Sequence, residues 1–199
     1  MTHIGNLPAL LQHGLCPASS GIHVPGYICI GHTTLVANRG SSPVSVEPYG
    51  TLNDYVPFYF HYKMPMLYQI YKGQVATYTG GQDDVVYLVT RVSQIVQLNL
   101  PFIFTDRHAY LNHKRVFTSL SDLSQLSWNT ILDPNWYHPY DSTKKELKQA
   151  EFLVHGMVQM SAILGIVVRD EVRENAVRAQ VAKVLPNIRV VSGDQYYFT

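Results

Sequence analysis

The stretch Asp54-Tyr55-Val56-Pro57-Phe58-Tyr59-Phe60, followed by Pro65-Met66-Leu67, sets the local architecture near the end of the first third of the chain. Aromatic and β-branched residues dominate positions 55–60, which predicts an extended strand. Proline at position 65 suits the first turn of a helix and Gly73 suits its end, so residues 66–71 are predicted to form a short helix. A strand therefore passes directly into a helix in this part of the chain.

Outward from this stretch, strands and helices alternate irregularly. A helix is predicted at 7–11, with Asn6 as its N-cap and Gly14 at its end. Residues 16–57 are rich in Gly, Pro, Ser and His, and most of this stretch is predicted to be loop. The other predicted strands are 85–89, 102–104, 151–155, 166–168, 188–191 and 196–198, and the other predicted helices are 92–98, 120–126 and 171–184. No repeat or linker is visible, so residues 1–199 are expected to form a single α+β domain.

The composition excludes several classes of protein. Of 199 residues, 46% are hydrophobic and 15% are charged, and 15 Lys and Arg against 14 Asp and Glu give a formal net charge of +1. This is enough apolar material for a core, and too little positive charge for a binder that holds nucleic acid by bulk electrostatics. No apolar run approaches the roughly 20 residues of a membrane span, and no signal segment is recognised. A cytoplasmic protein without a membrane partner is expected.

The segment Gln149-Ala150-Glu151 places a carboxylate at the start of an apolar strand. Strand alternation predicts that Gln149 and Glu151 share one face, while Ala150 and Phe152 point to the other. One interpretation is a solvated glutamate at a strand end. The other is a catalytic carboxylate that stabilises a sugar oxocarbenium ion, because a buried carboxylate is costly unless it is paired or used. The pattern alone leaves both interpretations open.

Arg39 and His3 are two further candidates with ambiguous sequence contexts. Arg39 stands in the predicted loop between Asn38 and Gly40, with no acidic residue nearby until Glu47. It is either a solvated arginine or a phosphate clamp, since a guanidinium matches phosphate oxygens and the adjacent glycine permits close approach. His3 precedes the first helix and is either structural or a ligand for a ribose hydroxyl.

Positive charge, histidine and aromatic residues interleave in the segment Thr105-Asp106-Arg107-His108-Ala109-Tyr110 and its continuation Asn112-His113-Lys114-Arg115. Surfaces that bind single strands need cations for the phosphates and rings for the bases. The segment is therefore a candidate nucleic-acid surface, and the alternative is an ordinary solvated loop with a few charges. The candidate contact residues are Arg107, His108, Tyr110, Lys114 and Arg115.

Five blocks of the chain together resemble the DarT family, the toxins of DarT–DarG toxin–antitoxin systems. The blocks are His3-Ile4-Gly5-Asn6-Leu7-Pro8, residues 50–60, Met64-Pro65-Met66-Leu67, residues 102–110 and Gln149-Ala150-Glu151. They occur in the family's order, and the resemblance extends to the closing Tyr196-Tyr197-Phe198. Its most specific block is the run 54–60 with Pro65-Met66-Leu67. Family members usually carry more residues ahead of the His3 segment, so the first strand is expected to be short or trimmed.

The resemblance implies an ADP-ribosyltransferase fold, with two small packed β-sheets, flanking short helices and NAD in the cleft between the sheets. It implies transfer of ADP-ribose from NAD to a thymine base in single-stranded DNA, with NAD as a substrate and no metal. Transfer to guanine or to RNA remains an alternative, as does a catalytically inactive relative that binds nucleic acid. The implied protein partner is a macrodomain antitoxin, DarG.

The resemblance also implies roles for single residues. Glu151 matches the family's catalytic glutamate, expected to hold the nicotinamide-ribose 2′-hydroxyl and to stabilise the oxocarbenium ion. Arg39 matches a loop arginine near the NAD diphosphate and the acceptor base. Glu151, Arg39 and His108 are the candidates for removing the thymine proton. The implied NAD contacts are His3, Asn6, Arg39, Met66 and Gln149, and the implied DNA contacts are Arg107, His108, Tyr110, Lys114 and Arg115.

Overall fold

Two four-stranded β-sheets form the framework of the molecule in a computed structural model that describes residues 1–199. In chain order the strands are β1 (Thr2–His3), β2 (Tyr55–Tyr59), β3 (Val85–Val89), β4 (Phe102–Thr105), β5 (Val116–Phe117), β6 (Glu151–His155), β7 (Gly165–Val168) and β8 (Arg189–Ser192). The first sheet has the order β1-β3-β7-β8 and the second the order β2-β6-β4-β5. Only the β7–β8 pair is parallel. The α+β prediction is confirmed.

Short helices flank the sheets. They are α1 (Leu7–His13), α2 (Thr33–Arg39), α3 (Pro65–Tyr71), α4 (Val92–Val96), α5 (Trp128–Leu132), α6 (Thr143–Lys148) and α7 (Glu171–Val181). Six 3₁₀ helices accompany them, at Ile4–Asn6, Ala18–Ser20, Leu52–Asp54, Leu120–Gln125, Met160–Ala162 and Asp194–Tyr196. Gly14 ends α1 at a φ of +80°, where a Cβ atom would meet the Val158 carbonyl oxygen at 2.7 Å, so only glycine fits. No helix combines the length and the apolar character needed to cross a membrane.

The first sheet is covered on both faces. On one face, Val86 and Ile166 pack against Leu7 of α1 and Val177 of α7. On the opposite face, α3 packs against the sheet in a cluster that contains Ile30, Leu67, Ile70, Val75, Tyr78, Val85, Tyr87, Val167 and Tyr197. The two sets separate because neighbouring residues of a strand point to opposite faces. His3 pairs with Val85 in register, so His3 lies on the α3 face.

The second sheet carries the candidate glutamate on one of its inner strands. Phe152 and Val154 of β6 point into the larger core, where the Phe152 and Phe102 rings stack with centroids 5.0 Å apart. Leu153 points to the opposite face and joins a smaller cluster with Tyr55, Val44, Leu52, Ile103 and Ala109. Alternation places Glu151 on the Leu153 face, which we call the Glu151 face of the second sheet.

Predictions from local pattern were confirmed where apolar periodicity is strong and were wrong where it is weak. The predicted strands at 85–89 and 151–155 and the helix after Pro65 are observed. Helix α2 falls in the predicted loop. Its sequence has no apolar stripe that would have indicated a helix, and none of its residues is buried. Helices α5 and α6 were likewise not predicted, and the helix predicted at 120–126 is a 3₁₀ helix.

The closing strand predicted at 196–198 is wrong. Tyr196 ends a 3₁₀ helix, and Tyr197 is fully buried, with its hydroxyl donating to the Val85 carbonyl oxygen at 2.8 Å. The backbone N–H of Phe198 donates to the Gln82 side chain at 3.0 Å instead of to a strand. The aromatic side chains therefore anchor the end of the chain across the α3 face of the first sheet rather than extend the sheet.

Candidate active site

Glu151 is a buried carboxylate held by donors from two different segments. Its side chain is 1% exposed, so the interpretation as a solvated strand-end residue is wrong. Glu151 Oε1 accepts a hydrogen bond from the Ala109 backbone N–H at 3.0 Å, and Oε2 accepts one from Arg39 Nη1 at 3.1 Å. Its own backbone N–H donates to Thr105 Oγ1 at 3.3 Å. Charge-assisted bonds of this kind fix the orientation of the carboxylate.

Arg39 reaches this carboxylate from the last turn of α2. The expectation of a loop position is therefore wrong, and so is the solvated interpretation, because the side chain is 15% exposed and ion-paired with Glu151. Arg39 Nη2 is buried and has no hydrogen-bond partner in the protein. A buried donor without an acceptor is costly, so this nitrogen marks a position where an acceptor atom of a ligand would fit.

His108 lies on the other side of Glu151, in the turn that follows β4. Its Nδ1 atom is 3.6 Å from Glu151 Oε1 and accepts a hydrogen bond from the Tyr110 backbone N–H at 3.1 Å. A neutral imidazole with an accepting Nδ1 carries its proton on Nε2. The Thr105 hydroxyl donates to the Arg107 carbonyl oxygen at 2.6 Å and thereby holds the start of this turn against β4.

Burial and neighbouring charges shift the pKa values of Glu151 and His108. Burial raises the pKa of Glu151, but the Arg39 charge, His108 and the Ala109 N–H together outweigh it, so the pKa is lowered. Burial lowers the pKa of His108 by more than the Glu151 charge raises it, and Arg39 lowers it further. At neutral pH Glu151 is therefore ionised and His108 is neutral, which leaves Arg39 and the Ala109 amide to stabilise the carboxylate.

Two residues of this site were missed from the sequence. Asn38 Nδ2 donates to the Tyr110 hydroxyl at 3.2 Å and ties the end of α2 to the turn after β4. Tyr59 pairs with Glu151 in the β2–β6 register, so both side chains lie on the Glu151 face. Burial, and then the Glu151 charge, raises the pKa of Tyr59. The sequence could have indicated Tyr59 as a site residue, because it belongs to the run 54–60. For Asn38 the only indication was that it precedes Arg39.

His3 ends β1 of the first sheet, and Asn6 ends the 3₁₀ helix that follows it; neither contacts Glu151. His3 Nδ1 accepts a hydrogen bond from the Gly5 backbone N–H at 2.9 Å, which leaves Nε2 as a donor for a ligand. Asn6 is the N-cap residue of α1, as predicted, but its side chain makes no capping hydrogen bond. Its Nδ2 donates to Thr2 Oγ1 and to the Ile28 carbonyl oxygen, and its Oδ1 accepts from the Ile28 N–H, each at 2.9 Å. Asn6 thus fixes the segment that leads towards α2.

Met66 and Gln149 occupy different surroundings from the charged cluster. Met66 is half-buried on α3 and packs against the cluster on the α3 face of the first sheet, the face that carries His3. Gln149 follows the last residue of α6, and its Nε2 donates to the Lys145 carbonyl oxygen at 3.0 Å. It is therefore not part of β6, and the prediction that alternation puts it on one face with Glu151 is wrong.

The three cations predicted to contact DNA differ in how they are engaged. Arg107 forms ion pairs with Asp106 at 3.3 Å and Glu146 at 3.5 Å. Arg115 donates to the Gln125 side chain and lies over the Phe117 ring. Lys114 Nζ makes one bond, to the Leu111 carbonyl oxygen at 3.3 Å, and keeps two of its three donors for a ligand.

Solved structures share this architecture over nearly the whole chain. The DarT of Thermus sp. 2.9 in complex with ADP-ribosylated ssDNA matches with a TM-score of 0.88 and 34% identity, over 99% of this chain and 93% of that chain. The same Thermus protein in complex with NAD+ matches with a TM-score of 0.82 at 34% identity, over 99% of this chain and 94% of that chain. The two-sheet fold is that of an ADP-ribosyltransferase, as predicted.

Sequence comparison resolves the family within this class. A DNA ADP-ribosyl transferase of Thermus sp. (strain 2.9) is 37% identical over 201 residues, which cover 99% of this chain and 94% of the relative. The family model for DarT, the ssDNA thymidine ADP-ribosyltransferase, matches residues 1–198. The chain belongs to the DarT family, and the resemblance seen in its sequence is confirmed.

Proposed function

We propose that the protein transfers ADP-ribose from NAD to a thymine base in single-stranded DNA and releases nicotinamide. The observation that carries this proposal is the ionised, buried Glu151 clamped by Arg39 and the Ala109 amide, in a chain of the DarT family. A fixed negative charge of this kind stabilises positive charge that develops on a sugar in the transition state.

Glu151 acts at the nicotinamide ribose. Its carboxylate accepts a hydrogen bond from the ribose 2′-hydroxyl and faces the positive charge that builds up as the bond from the anomeric carbon to nicotinamide breaks. The bonding electron pair leaves with nicotinamide, which becomes neutral. Because Glu151 is already oriented by its donors, little reorganisation is needed when the charge appears.

The acceptor nitrogen of thymine then forms the new bond to the anomeric carbon, and its proton must leave. Arg39 remains protonated throughout, so it is not the base; its Nη2 donates to a thymine carbonyl oxygen and stabilises negative charge on the ring. His108 takes the proton at Nδ1, which gives up the hydrogen bond that it accepts from the Tyr110 N–H, and Glu151, 3.6 Å away, stabilises the imidazolium that forms. The net products are the ADP-ribosylated base, nicotinamide and one proton.

His3, Asn6 and Met66 serve the NAD side of the reaction. His3 offers Nε2 to a ribose hydroxyl, Asn6 holds the segment at Ile28, and Met66 lines the nicotinamide end of the site. Gln149 supports the turn that leads into β6. The turn after β4 presents the DNA side, and the net charge of +1 implies a modest dependence of binding on salt.

An enzyme that modifies DNA bases would harm its host, so a neutralising partner is required. By family membership we propose a macrodomain antitoxin, DarG, which removes ADP-ribose from DNA. Because NAD and DNA occur together inside the cell, we propose that the reaction takes place in the cytoplasm. We further propose that residues 1–199 act as one domain, because β1 and β8, from opposite ends of the chain, belong to one sheet.

The test combines purified protein, NAD and a panel of short oligonucleotides, with mass spectrometry of the oligonucleotide and quantitation of nicotinamide. Wild type is expected to modify thymine-containing single-stranded DNA. Glu151→Gln is expected to lose at least roughly a thousandfold in rate while it still binds the oligonucleotide. Glu171→Gln, an exposed glutamate in the first turn of α7, is the matched control and should retain wild-type rates.

The same panel separates the rival functions. Modification of guanine or of RNA, with thymine oligonucleotides left unmodified, would show that the acceptor is not thymine. The proposed chemistry at NAD would then still hold. Binding of oligonucleotides with no nicotinamide released by wild type would identify an inactive nucleic-acid-binding relative and overturn the proposal.

A further inference from the structure

One buried hydroxyl connects the two segments that meet at the Glu151 carboxylate. Thr105, the last residue of β4, has no exposed surface. Its Oγ1 atom donates a hydrogen bond to the Arg107 carbonyl oxygen at 2.6 Å and accepts one from the Glu151 backbone N–H at 3.3 Å. A threonine hydroxyl has a single proton, so the donor is fully engaged, and burial protects both bonds from competition by water.

The ladder between β4 and β6 stops just short of Glu151. Its last pair joins Phe104 and Phe152, so a continued antiparallel register would place Thr105 opposite Glu151. The Glu151 N–H donates instead to the Thr105 side chain. Because a side-chain acceptor has replaced the main-chain acceptor, β4 separates from β6 at this residue, and the chain is free to turn over the carboxylate.

The turn after β4 uses this opening to surround Glu151. The Arg107 carbonyl is tied back to the Thr105 hydroxyl, and two residues further on the Ala109 N–H donates to Glu151 Oε1 at 3.0 Å. His108 lies between them, with Nδ1 3.6 Å from the same oxygen. The hydroxyl therefore holds two backbones at once, the strand that carries the carboxylate and the turn that carries its amide donor and the proposed base.

We propose that Thr105 is a positioning residue for ADP-ribosyl transfer, whose hydroxyl sets the distance between the Glu151 carboxylate and the turn that carries His108. This inference rests on the proposed function, because that function supplies the roles of Glu151 and His108. Thr105 acts through backbone atoms of its neighbours and does not touch the substrates in this role. Since a misplacement of about 1 Å can slow a reaction roughly one hundredfold, the loss of one such bond has a measurable effect on the rate.

Thr90 offers a matched bond outside the site. This residue follows β3 of the first sheet, and its Oγ1 donates to the Ala162 carbonyl oxygen at 2.6 Å. The bond has the same chemistry and length as the bond from Thr105 to Arg107, but neither of its residues bonds to Glu151 or to the turn after β4. Thr90→Val and Thr105→Val therefore remove comparable bonds, and only the second removes one at the site.

The experiment measures kcat and KM for transfer from NAD to an oligonucleotide with one thymine. Thr105→Val keeps the shape of the side chain without the hydroxyl. It is expected to lower kcat by at least roughly tenfold, with the KM for the oligonucleotide within about threefold of wild type. Thr105→Ser keeps the hydroxyl and should restore kcat to within about threefold of wild type. Thr90→Val should keep the wild-type kcat.

The pH profile gives a second readout that a loss of stability would not move. Burial lowers the pKa of His108, and the charges that act on its ring are those of Glu151 and Arg39. Thr105→Val changes neither charge but releases the turn, so His108 becomes less buried and its pKa moves up towards the ordinary value of about 6.5. The acidic limb of the rate should therefore lie at higher pH in Thr105→Val than in wild type and Thr105→Ser.

The outcomes separate this inference from the proposed function. Thr105→Val with the kcat or the acidic limb of wild type would overturn the inference and leave the function intact. A loss of kcat that Thr90→Val matches would reduce the effect to stability, and a raised oligonucleotide KM at wild-type kcat would make Thr105 a substrate contact; either would overturn the positioning role. If Thr105→Val does not fold, Thr105→Ala compared with Thr105→Ser isolates the hydroxyl in the same way. Absence of transfer by wild type to every oligonucleotide would refute the proposed function itself.

Discussion

Arg39 Nη1 lies 3.1 Å from Glu151 Oε2, although the two residues are 112 positions apart in the chain. The carboxylate is 1% exposed, so its charge depends on this partner and on the Ala109 amide. The same carboxylate is the group that we propose for the ribose 2′-hydroxyl. In the proposed reaction Nη1 keeps its bond to Glu151, while the unpaired Nη2 of Arg39 is offered to the acceptor base.

Arg39→Met is expected to destabilise the protein by about 3 kcal/mol at pH 7, because it leaves a buried carboxylate without its charge partner. The double variant Arg39→Met/Glu151→Gln should regain most of this loss, since no charge is then buried, and should remain inactive. Urea unfolding measures both values. An Arg39→Met variant as stable as wild type would contradict the ion-pair assignment. Arg178→Met, on the surface of α7, is the control and should change stability by less than about 1 kcal/mol.

The ion pair also sets a direction for the pH dependence of stability. The folded-state pKa of Glu151 is lowered below its ordinary value, so its contribution is fully present above about pH 4.3 and is lost as the pH falls through the lowered pKa. The unfolding free energy of wild type should therefore decrease more steeply on acidification than that of Arg39→Met/Glu151→Gln. Parallel curves for the two proteins would contradict this prediction.

His108→Gln is expected to lower the rate of transfer by roughly one hundredfold, because it removes the group that takes the thymine proton. In wild type, burial keeps the pKa of His108 below its usual value of about 6.5. The rate should therefore fall as the pH drops through this lowered pKa, because His108 becomes protonated there. Single-turnover transfer measured against pH checks this, and the limb due to His108 should be absent in His108→Gln. His113→Gln, whose ring is exposed and pairs with Glu146, should keep the wild-type profile.

Asn6→Ala is expected to destabilise the protein by about 2–3 kcal/mol, because it removes three hydrogen bonds and leaves a buried partner at Thr2 and half-buried partners at Ile28. The KM for NAD should rise, since the segment from Ile28 to α2 loses its anchor, while DNA binding should be unaffected. Thermal unfolding and steady-state kinetics measure these effects. An unchanged KM would argue against a role for Asn6 in shaping the NAD side.

Lys148→Met tests the buried lysine that lies three residues before Glu151. Lys148 Nζ donates to the Ile131 carbonyl at 2.7 Å and to the Asp133 carbonyl at 2.9 Å, with His61 Nδ1 at 3.3 Å. The variant leaves both carbonyls unpaired, which should cost about 1–3 kcal/mol at pH 7. Unfolding in urea measures the loss. Lys145→Met, exposed on the same helix, is the control and should be close to wild type.

The folded protein disfavours the charged form of Lys148, whereas it favours the charged form of Glu151. Burial lowers the pKa of Lys148 to about 8, whereas the unfolded chain titrates near its ordinary value of about 10.4. Between these values the unfolded chain binds more protons, so Lys148 makes stability rise with pH in this window. The difference in unfolding free energy between wild type and Lys148→Met should therefore grow from about pH 8 to 10. A constant difference would show that Lys148 does not titrate there.

The sequence by itself determined the elements whose apolar pattern is strong and local. The run 55–60, the helix opened by Pro65 and the strand that begins at Glu151 follow from side-chain shape, proline and alternation, which act over a few residues. The order of the DarT-like blocks also identified the family. Helix α2 was not predicted because it buries no apolar side chain. The strand at Tyr197 was wrongly predicted because the Tyr197 ring anchors the chain end instead of extending a strand.

Only the tertiary structure decided which of the candidate residues meet. It joined Arg39 and His108 to Glu151, placed His3 on the first sheet, and paired Arg107 with Asp106 and Glu146. The physical reason is that an ion pair or a hydrogen bond to a buried carboxylate depends on distance and burial, which residue type and spacing do not encode across 112 positions. The bond from the Glu151 N–H to the Thr105 hydroxyl likewise joins residues 46 positions apart, so no local pattern could indicate it.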